Sequence, residues 1–174
     1  MMGARRIEGP PARDPDQHFL VNPEIIDAVA LAAGMRPGDR AAELGAGAGT
    51  VTARLPPVAS LDLVELDPGL CARLRRRFAG RRGVRVRCGD ALETIARDRF
   101  DVIVSNLPAQ LSGRVLDALS RADFRRAVVA VPASLDLSPW RDRLSLSFVA
   151  RAEGADFDPP QPFETVYLTV ARMR

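Results

Sequence analysis

Apolar residues recur along the chain in short blocks whose spacing alternates between that of strands and that of helices. Over Pro23 to Ala33 they return every three or four positions, which predicts a first helix that ends at Gly34. Compact apolar runs further on predict five buried strands: Arg40 to Leu44, Ser60 to Glu65, Val84 to Arg87, Phe100 to Ser105 and Ala127 to Val131. Helical spacing between and after them predicts four more helices: about Thr50 to Leu55, Pro68 to Phe78, Leu92 to Ala96 and Leu111 to Leu119. Strands that alternate with helices are typical of an α/β fold built on a parallel sheet.

The C-terminal part of the chain breaks this alternation. Leu144 to Ala150 and Thr165 to Ala171 are strand-like runs joined by a proline-rich loop, with no long helix between them. We therefore expect an antiparallel hairpin at one edge of the mostly parallel sheet. At the other end, residues 1–16 contain three prolines and no apolar periodicity. This composition predicts a flexible N-terminal arm before a single domain that spans residues 17–174.

Composition supports one globular domain and excludes several other classes of protein. The chain has 174 residues, of which 47% are apolar and 27% charged, as expected of a domain that buries one core. No apolar run approaches the roughly 20 residues that span a bilayer, and the N-terminus has no apolar signal segment, so we expect a cytoplasmic protein without membrane contact. Cys71 and Cys88 are too few for a disulfide framework and lack metal-ligand spacing. We expect buried free thiols and no metal site.

Positive charge is concentrated in arginine. All 25 basic residues are arginine, the formal net charge is +3, and the sequence pI is about 9.6. The densest stretch, Arg73 to Arg87, holds eight arginines. This stretch predicts either an RNA-binding surface or a solvated helix face and turn. The second interpretation is favoured because a run of charged residues is more often a solvated surface.

A glycine-rich turn follows the first predicted strand. In the run Glu43-Leu-Gly-Ala-Gly-Ala-Gly49, the glycines let the backbone turn sharply and approach a ligand without a Cβ atom in the way. In a doubly wound sheet this is where a nucleotide-like ligand binds. A nicotinamide dinucleotide site needs a further Gly or Ala where this chain has Thr50. Glu43 would sit poorly beside a pyrophosphate but suits a cationic ligand.

Acidic residues end the next two predicted strands. Glu65 stands twenty residues beyond Gly45, where a carboxylate can accept hydrogen bonds from both hydroxyls of a ribose. Asp90 follows the third strand and could accept a hydrogen bond from the exocyclic amine of an adenine. Asp90 could also cap the helix that begins near Ala91, and the two roles are compatible. Together with the glycine-rich turn, these two acids form a more specific signal than any of the three features alone.

The fourth strand ends in Ser105-Asn-Leu-Pro108. An amine on an aromatic ring is a poor nucleophile because its lone pair is delocalised into the ring. The amide oxygen of Asn106 and the backbone carbonyl of Leu107 could hold the hydrogens of such an amine, and Pro108 would fix the turn that aims the carbonyl. Positioning and exclusion of water would then supply most of the rate, without a separate strong base. The alternative is a turn that only terminates the strand.

Six features in this order resemble the ribosomal RNA adenine dimethyltransferase family, which includes the macrolide-resistance RNA methyltransferases. They are residues 17–22 (QHFLVN), the glycine-rich turn, the Glu65 strand, Gly89-Asp90, the Asn-Leu-Pro element and residues 157–160 (FDPP). The resemblance covers residues 17–172 and implies a Rossmann-like class I methyltransferase with S-adenosylmethionine as cofactor. It implies as cofactor-binding residues Gln17, His18, Leu20, Glu43, Gly45, Gly47, Gly49, Glu65, Leu66, Asp90, Ala91 and Asn106. It implies as catalytic residues Asn106, Leu107, Pro108 and Phe157.

The resemblance implies N-methylation of an adenine amine, with ribosomal RNA as the substrate. The sequence departs from the family pattern in two ways. Family members carry an aromatic residue after the proline that stacks on the target adenine, and this chain has Ala109. Phe157 is either a second aromatic face or a hydrophobic plug beneath its loop. Family members also continue into a helical C-terminal domain that helps to grip RNA, and the sequence ends before one. Two alternatives therefore stand: a methyltransferase of a small molecule or a protein, and a noncatalytic module that binds the cofactor.

Overall fold

The computed structural model describes residues 17–173 and has a seven-stranded sheet at its centre. The strands within this range are β1 (Phe19–Leu20), β2 (Arg40–Leu44), β3 (Ser60–Glu65), β4 (Val84–Cys88), β5 (Val102–Ser105), β6 (Arg126–Pro132), β7 (Leu144–Ala152), β8 (Phe157–Asp158) and β9 (Thr165–Arg172). The α-helices are α1 (Pro23–Ala32), α2 (Pro68–Arg77), α3 (Ala91–Arg97) and α4 (Ser112–Arg121). Short 3-10 turns cover Ala109–Leu111, Ser138–Trp140 and Gly154–Asp156.

The sheet has the strand order β4-β3-β2-β5-β6-β9-β7. The five strands from β4 to β6 are parallel, and β9 runs antiparallel between β6 and β7. The predicted parallel core and the antiparallel hairpin at its edge are both confirmed. The chain order reverses between β2 and β5, and ligands of such sheets bind in the crevice at the carboxyl ends of the strands at this point.

Apolar clusters cover both faces of the sheet. Along β2, Ala41 packs into one cluster with the inner face of α1, whereas Ala42 and Leu44 pack into the other with α4. Strands buried on both faces are apolar throughout, which is why the sequence shows continuous apolar runs rather than strict alternation.

Side-chain caps explain where three of the helices begin. Asn22, Asp67 and Asp90 precede α1, α2 and α3, and each side chain accepts hydrogen bonds from two backbone N–H groups of the first turn. Pro23 and Pro68 take the first positions of their helices, where a missing N–H has no cost. These caps hold the helix starts at the carboxyl edge of the sheet.

The predicted helix at Thr50 to Leu55 is wrong: the chain there forms irregular turns. Two prolines follow Leu55, and a residue before proline is disfavoured in the helical region. The guanidinium of Arg81 binds the carbonyls of Thr52 and Leu55 and so satisfies groups that a helix would otherwise bond internally. The segment is thus stabilised by a tertiary contact that its own sequence does not reveal.

The expectation of free thiols is also wrong, because Cys71 and Cys88 form a disulfide. Cys71 lies in the first turn of α2 and Cys88 ends β4, with their Cα atoms 5.9 Å apart. The helix that follows β3 crosses back over the sheet toward β4, so residues 17 positions apart become neighbours. Counting cysteines could not anticipate this geometry.

The arginine-rich stretch is partly structural. Arg77 donates to the carbonyl of Ala48, and Arg81 holds the turns after β2. Arg85 and Arg87 form ion pairs with the buried carboxylate of Asp62. Half of the eight arginines therefore have partners within the protein.

Three further points bear on the sequence predictions. The predicted flexible arm, residues 1–16, lies outside the described residues. Between residues 17 and 173, no helix is long and apolar enough to cross a membrane. The same part of the chain contains no group of three or more His, Cys, Asp or Glu side chains placed to hold a metal ion.

Candidate cofactor and acceptor site

A cavity of about 470 Å³ opens at the carboxyl ends of the parallel strands, at the crevice between β2 and β5. Nearly all of the predicted site residues line it: Gln17, His18, Leu20, Glu43, Gly45, Gly47, Glu65, Leu66, Asp90, Ala91, Asn106, Leu107, Pro108 and Phe157. Gly49 is the predicted residue that does not. The fold therefore brings together residues that are separated by up to 140 positions in the chain.

The glycines after β2 have distinct roles. Gly45 has φ 71°, and a Cβ atom there would lie 3.0 Å from the carbonyl oxygen of Asn106. Gly47 has φ 53°, and its Cβ would lie 3.0 Å from the ring of Phe19. Both positions need glycine for the left-handed backbone and for the close approach. At Gly49 a Cβ would collide with the ring of Phe78 at 2.5 Å, so this glycine serves the packing of α2 rather than the cavity.

The carboxylate of Glu65 ties the glycine loop to the end of β3. Its Oε2 accepts from the N–H of Gly47 at 2.9 Å, and its Oε1 accepts from the N–H groups of Leu66 and Asp67 at 2.8 and 3.0 Å. A carboxylate has about four acceptor positions, so one on Oε2 stays open toward the cavity. Glu65 can therefore hold the loop and still accept a hydrogen bond from a ligand hydroxyl.

Glu43 lies behind the glycine loop and is only 2% exposed. The hydroxyl of Thr52 donates to its Oε2. Burial raises the pKa of the Glu43 carboxyl from its usual 4.5 to about 7, against the opposing effects of the Thr52 hydrogen bonds and of the charges on Arg81 and Arg77. A cationic ligand in the cavity would favour the ionised form of this acid.

Asp90 caps a helix and also borders the cavity. Its Oδ1 accepts from the N–H groups of Leu92 and Glu93 at 2.6 and 3.2 Å and so caps α3. The side chain is exposed and borders the cavity next to Ala91. The cap uses Oδ1, and Oδ2 takes no part in it.

The Asn-Leu-Pro element stands directly against the glycine loop. The N–H of Asn106 donates to the carbonyl of Leu44 at 3.1 Å and continues the pairing of β2 with β5 by one residue. Pro108 has φ −51° and ψ 143°, and its carbonyl starts the 3-10 turn by accepting from the N–H of Leu111 at 2.9 Å. This turn carries Ala109 on the border of the cavity.

The N-terminal segment covers one side of the cavity. β1 pairs with β8 in a two-stranded antiparallel sheet, with Leu20 opposite Phe157. The hydroxyl of Thr50 donates to the carbonyl of Leu20 at 3.1 Å, and Nδ1 of His18 lies 2.9 Å from the carbonyl oxygen of Pro159. Phe157 is 2% exposed and belongs to the core cluster beneath the loop. Its burial favours the role of a hydrophobic plug over that of an open aromatic face.

Sequence reasoning missed three residues at this site. Phe163, in the loop before β9, lines the cavity and is 36% exposed. Gln161 is buried beside it, and its Nε2 donates to the carbonyl of Phe163 and to the hydroxyl of Thr165. Tyr167 donates from its hydroxyl to Oδ1 of Asn106 at 3.1 Å. Phe163 lies in the proline-rich loop before β9, where an aromatic residue could have been noticed. Tyr167 lies in a run of strand residues whose pattern indicates only packing in the core.

A model of the ribosomal RNA adenine dimethylase family matches residues 13–134. The chain belongs to this family. A protein of Methanosarcina mazei named probable ribosomal RNA small subunit methyltransferase A is 38% identical over 115 residues, which are 66% of this chain and 42% of that protein. The ribosomal RNA small subunit methyltransferase A of Synechococcus elongatus is 35% identical over 156 residues, 80% of this chain and 54% of that protein. The chain thus matches about half the length of these curated relatives or less.

Solved structures show the same fold as this family member. A dimethyladenosine transferase from Plasmodium falciparum superposes with a TM-score of 0.80 at 23% identity, covering 90% of this chain and 64% of that one. The 23S rRNA methyltransferase ErmE superposes with a TM-score of 0.79 at 19% identity, covering 89% and 70%. The Rossmann-like methyltransferase fold that the sequence predicts is therefore confirmed.

The cavity of this family member fits S-adenosylmethionine. Gly45 and Gly47 leave a cradle that a Cβ atom would fill, and Glu65 offers a carboxylate oxygen at its edge. The acids Glu43 and Asp90 suit a ligand that carries positive charge and an adenine. A dinucleotide needs a helix N-terminus directed at its pyrophosphate, and irregular turns follow the glycine loop here.

Proposed function

We propose that this chain transfers the methyl group of S-adenosylmethionine to the exocyclic amine of an adenine in ribosomal RNA. One observation carries the proposal: the Asn-Leu-Pro element lies in contact with the glycine loop, so close that a Cβ on Gly45 would be 3.0 Å from the Asn106 carbonyl oxygen. The group that would hold an amine and the loop that would hold the methyl donor thus share one cavity.

The two sides of the cavity differ in charge, which supports a cationic donor and a neutral acceptor. We define the cofactor side as the cavity-lining residues between 43 and 92, and the acceptor side as those between 106 and 165. Among the described residues, the cofactor side presents Glu43, Glu65, Asp67 and Asp90, and the acceptor side presents no charged side chain. Opposite charge favours a cation on the first side. Burial of a neutral aromatic ring on the second side avoids the cost of desolvating a charge.

The chemistry asked of the protein is mainly positioning. When bound, S-adenosylmethionine would supply a methyl group whose carbon the acceptor nitrogen attacks in line, with the neutral thioether as the leaving group and one proton passing from the nitrogen to water. The amide oxygen of Asn106 and the carbonyl of Leu107 can accept the two N–H hydrogens of an adenine amine and favour a pyramidal nitrogen with its lone pair toward the methyl carbon. Holding the reactants in this geometry supplies most of the rate.

Methyl transfer to RNA tests the proposal directly. RNA from the source organism and S-adenosylmethionine labelled in its methyl group are incubated with the protein, and the RNA is then digested to nucleosides and chromatographed. We expect label in methylated adenosine within the ribosomal RNA fraction. Cofactor binding without label in RNA would contradict the proposal and favour a small-molecule or protein acceptor; binding with no transfer to any acceptor would favour a noncatalytic module.

Ala109 is the observation that favours a different acceptor, because it opens the place of an aromatic residue at the cavity border. The variant Ala109→Tyr distinguishes the two acceptors. Base stacking on an aromatic ring is worth roughly 1–3 kcal/mol. Transfer to RNA should therefore rise in this variant if adenine is the acceptor. A small-molecule acceptor that uses the open space should instead be methylated more slowly. The matched control is Ser147→Tyr, which adds a ring at an exposed position on β7, outside the cavity.

A further inference from the structure

Tyr167 is buried below the acceptor side of the cavity, two strands away from Asn106. It lies on β9 opposite Ala130 of β6, and β6 separates β9 from β5, whose end carries Asn106. Residues directly opposite each other in an antiparallel pair share one face of the sheet. The tyrosine side chain therefore crosses the small Ala130 on that face and brings its hydroxyl within 3.1 Å of Oδ1 of Asn106.

This contact restricts the orientation of the amide. Tyr167 is 1% exposed, so its hydroxyl hydrogen needs a partner within the protein. If the amide of Asn106 were flipped, its NH₂ group would face the phenol oxygen, and the hydroxyl hydrogen would lose its acceptor in the core. Burial raises the pKa of the Tyr167 phenol, and the charge on Asp156 raises it further, so the hydroxyl stays a donor.

We propose that Tyr167 is a positioning residue for methyl transfer, which holds the Asn106 amide with its oxygen as the acceptor for the substrate amine. The amide oxygen has two acceptor positions, so one is used by Tyr167 and the other is free for the substrate. This inference rests on the proposed function, because it assigns Tyr167 a role in the same site. It predicts that the tyrosine hydroxyl affects the rate of the bound complex rather than the affinity for either substrate.

The variant Tyr167→Phe removes only the hydroxyl. As a matched control, Thr169→Val removes a hydroxyl from the same strand that donates to the carbonyl of Ser147 at 3.4 Å, outside the cavity. The contact is first measured without any RNA, as the nuclear magnetic resonance signals of the Asn106 side-chain amide in the ¹⁵N-labelled protein. These signals should shift in Tyr167→Phe and stay in place in Thr169→Val. Unchanged amide signals in Tyr167→Phe would overturn the inference at this stage.

Kinetics with labelled S-adenosylmethionine and a transcript of small-subunit ribosomal RNA then test the role. Loss of one hydrogen bond corresponds to a rate change of about five- to tenfold. We expect kcat to fall by that factor in Tyr167→Phe, with both KM values within about twofold of wild type, and no change in Thr169→Val. In an Asn106→Ala background, Tyr167→Phe should cause no further loss.

The outcomes separate this inference from the proposed function. An active wild type with kcat unaffected by Tyr167→Phe would overturn the positioning role alone. An equal loss in both backgrounds would show that Tyr167 acts other than through Asn106 and would also overturn it. A wild type that binds the cofactor and keeps the amide contact, but methylates no RNA, would overturn the proposed function and this inference with it.

Discussion

The two sides of the cavity are built in different ways. On the cofactor side, backbone N–H groups and carboxylates form the surface, and Glu65 alone accepts from three N–H groups of two loops. On the acceptor side, amide, hydroxyl and apolar groups form the surface, and the buried Tyr167 donates a hydrogen bond to Asn106 from beneath it. The cofactor side contains the glycine-rich turn, the Glu65 strand and Gly89-Asp90 of the family resemblance, whereas the acceptor side contains the Asn-Leu-Pro element and residues 157–160 together with the departure at Ala109.

This difference indicates which side of the cavity allows fewer substitutions because of its ligand. A cofactor with fixed charge and shape can be held by a fixed set of acids and glycines. If the acceptor is a neutral ring, as we propose, an aromatic residue at one position on its side can replace an aromatic residue at another. Variants that act on one side alone should therefore separate cofactor binding from acceptor use.

The largest expected effect is on the pH dependence of stability, and it comes from Glu43. The prediction is that burial of this acid on the cofactor side lowers the free energy of unfolding at neutral pH. A rise in pKa from 4.5 to about 7 corresponds to about 3 kcal/mol in the free energy of unfolding. Below pH 4.5 the carboxyl is protonated in both states. Between pH 4.5 and 7 it ionises only in the unfolded state, so stability falls as pH rises and levels off above pH 7. The variant Glu43→Gln should lose this part of the pH dependence, as measured by urea unfolding at pH 4, 5.5 and about 8.

Binding of S-adenosylmethionine tests the same carboxyl in the complex with the cofactor. A cation beside Glu43 favours the ionised carboxylate, so Glu43→Gln should be more stable than wild type at high pH but bind S-adenosylmethionine less tightly there. Glu93→Gln, an exposed acid in the first turn of α3, is the matched control and should change neither quantity. Parallel stability profiles for wild type and Glu43→Gln would show that burial of this acid has no such cost.

Much of the cavity lining could be predicted from the sequence because its signals are local. Strand ends, glycines and acids follow one another at short spacing, and parallel strands bring their carboxyl ends to one edge. Glu65, Asp90 and Asn106 consequently line one cavity as expected. The cap that Asp90 forms on α3 could also be anticipated from its position before the helix.

Contacts between distant segments could not be predicted in the same way. The disulfide of Cys71 and Cys88 depends on how α2 crosses the sheet, and the turns after β2 depend on Arg81. Tyr167 occupies a strand position whose pattern indicates burial and nothing else. Its role follows only from the placement of β9 beside β6, which no local pattern specifies.

The next effect in size concerns Phe163, the exposed aromatic residue on the acceptor side. If it stacks on the acceptor base in the place left by Ala109, Phe163→Ala should lower kcat/KM for RNA about tenfold or more, since stacking is worth roughly 1–3 kcal/mol. Affinity for S-adenosylmethionine should stay unchanged. Phe148→Ala removes another exposed ring, 67% accessible on β7 and outside the cavity, and should leave both quantities as in wild type. Equal activity of Phe163→Ala and wild type would exclude Phe163 as a stacking residue.

The smallest effect is expected at Asp90, where one carboxylate has two tasks that can be separated. Asp90→Ala removes the cap of α3 and should cost about 1 kcal/mol of stability. Asp90→Ser keeps a side-chain oxygen for the cap but removes the carboxylate, so its unfolding free energy should stay near that of wild type. If Oδ2 accepts from the adenine amine of the cofactor, calorimetric titration should show S-adenosylmethionine binding weakened about tenfold in both variants. If Asp90→Ser binds the cofactor as wild type does, the carboxylate serves α3 alone, and adenine recognition on the cofactor side depends on the neighbouring backbone and the apolar residues Leu66 and Ala91.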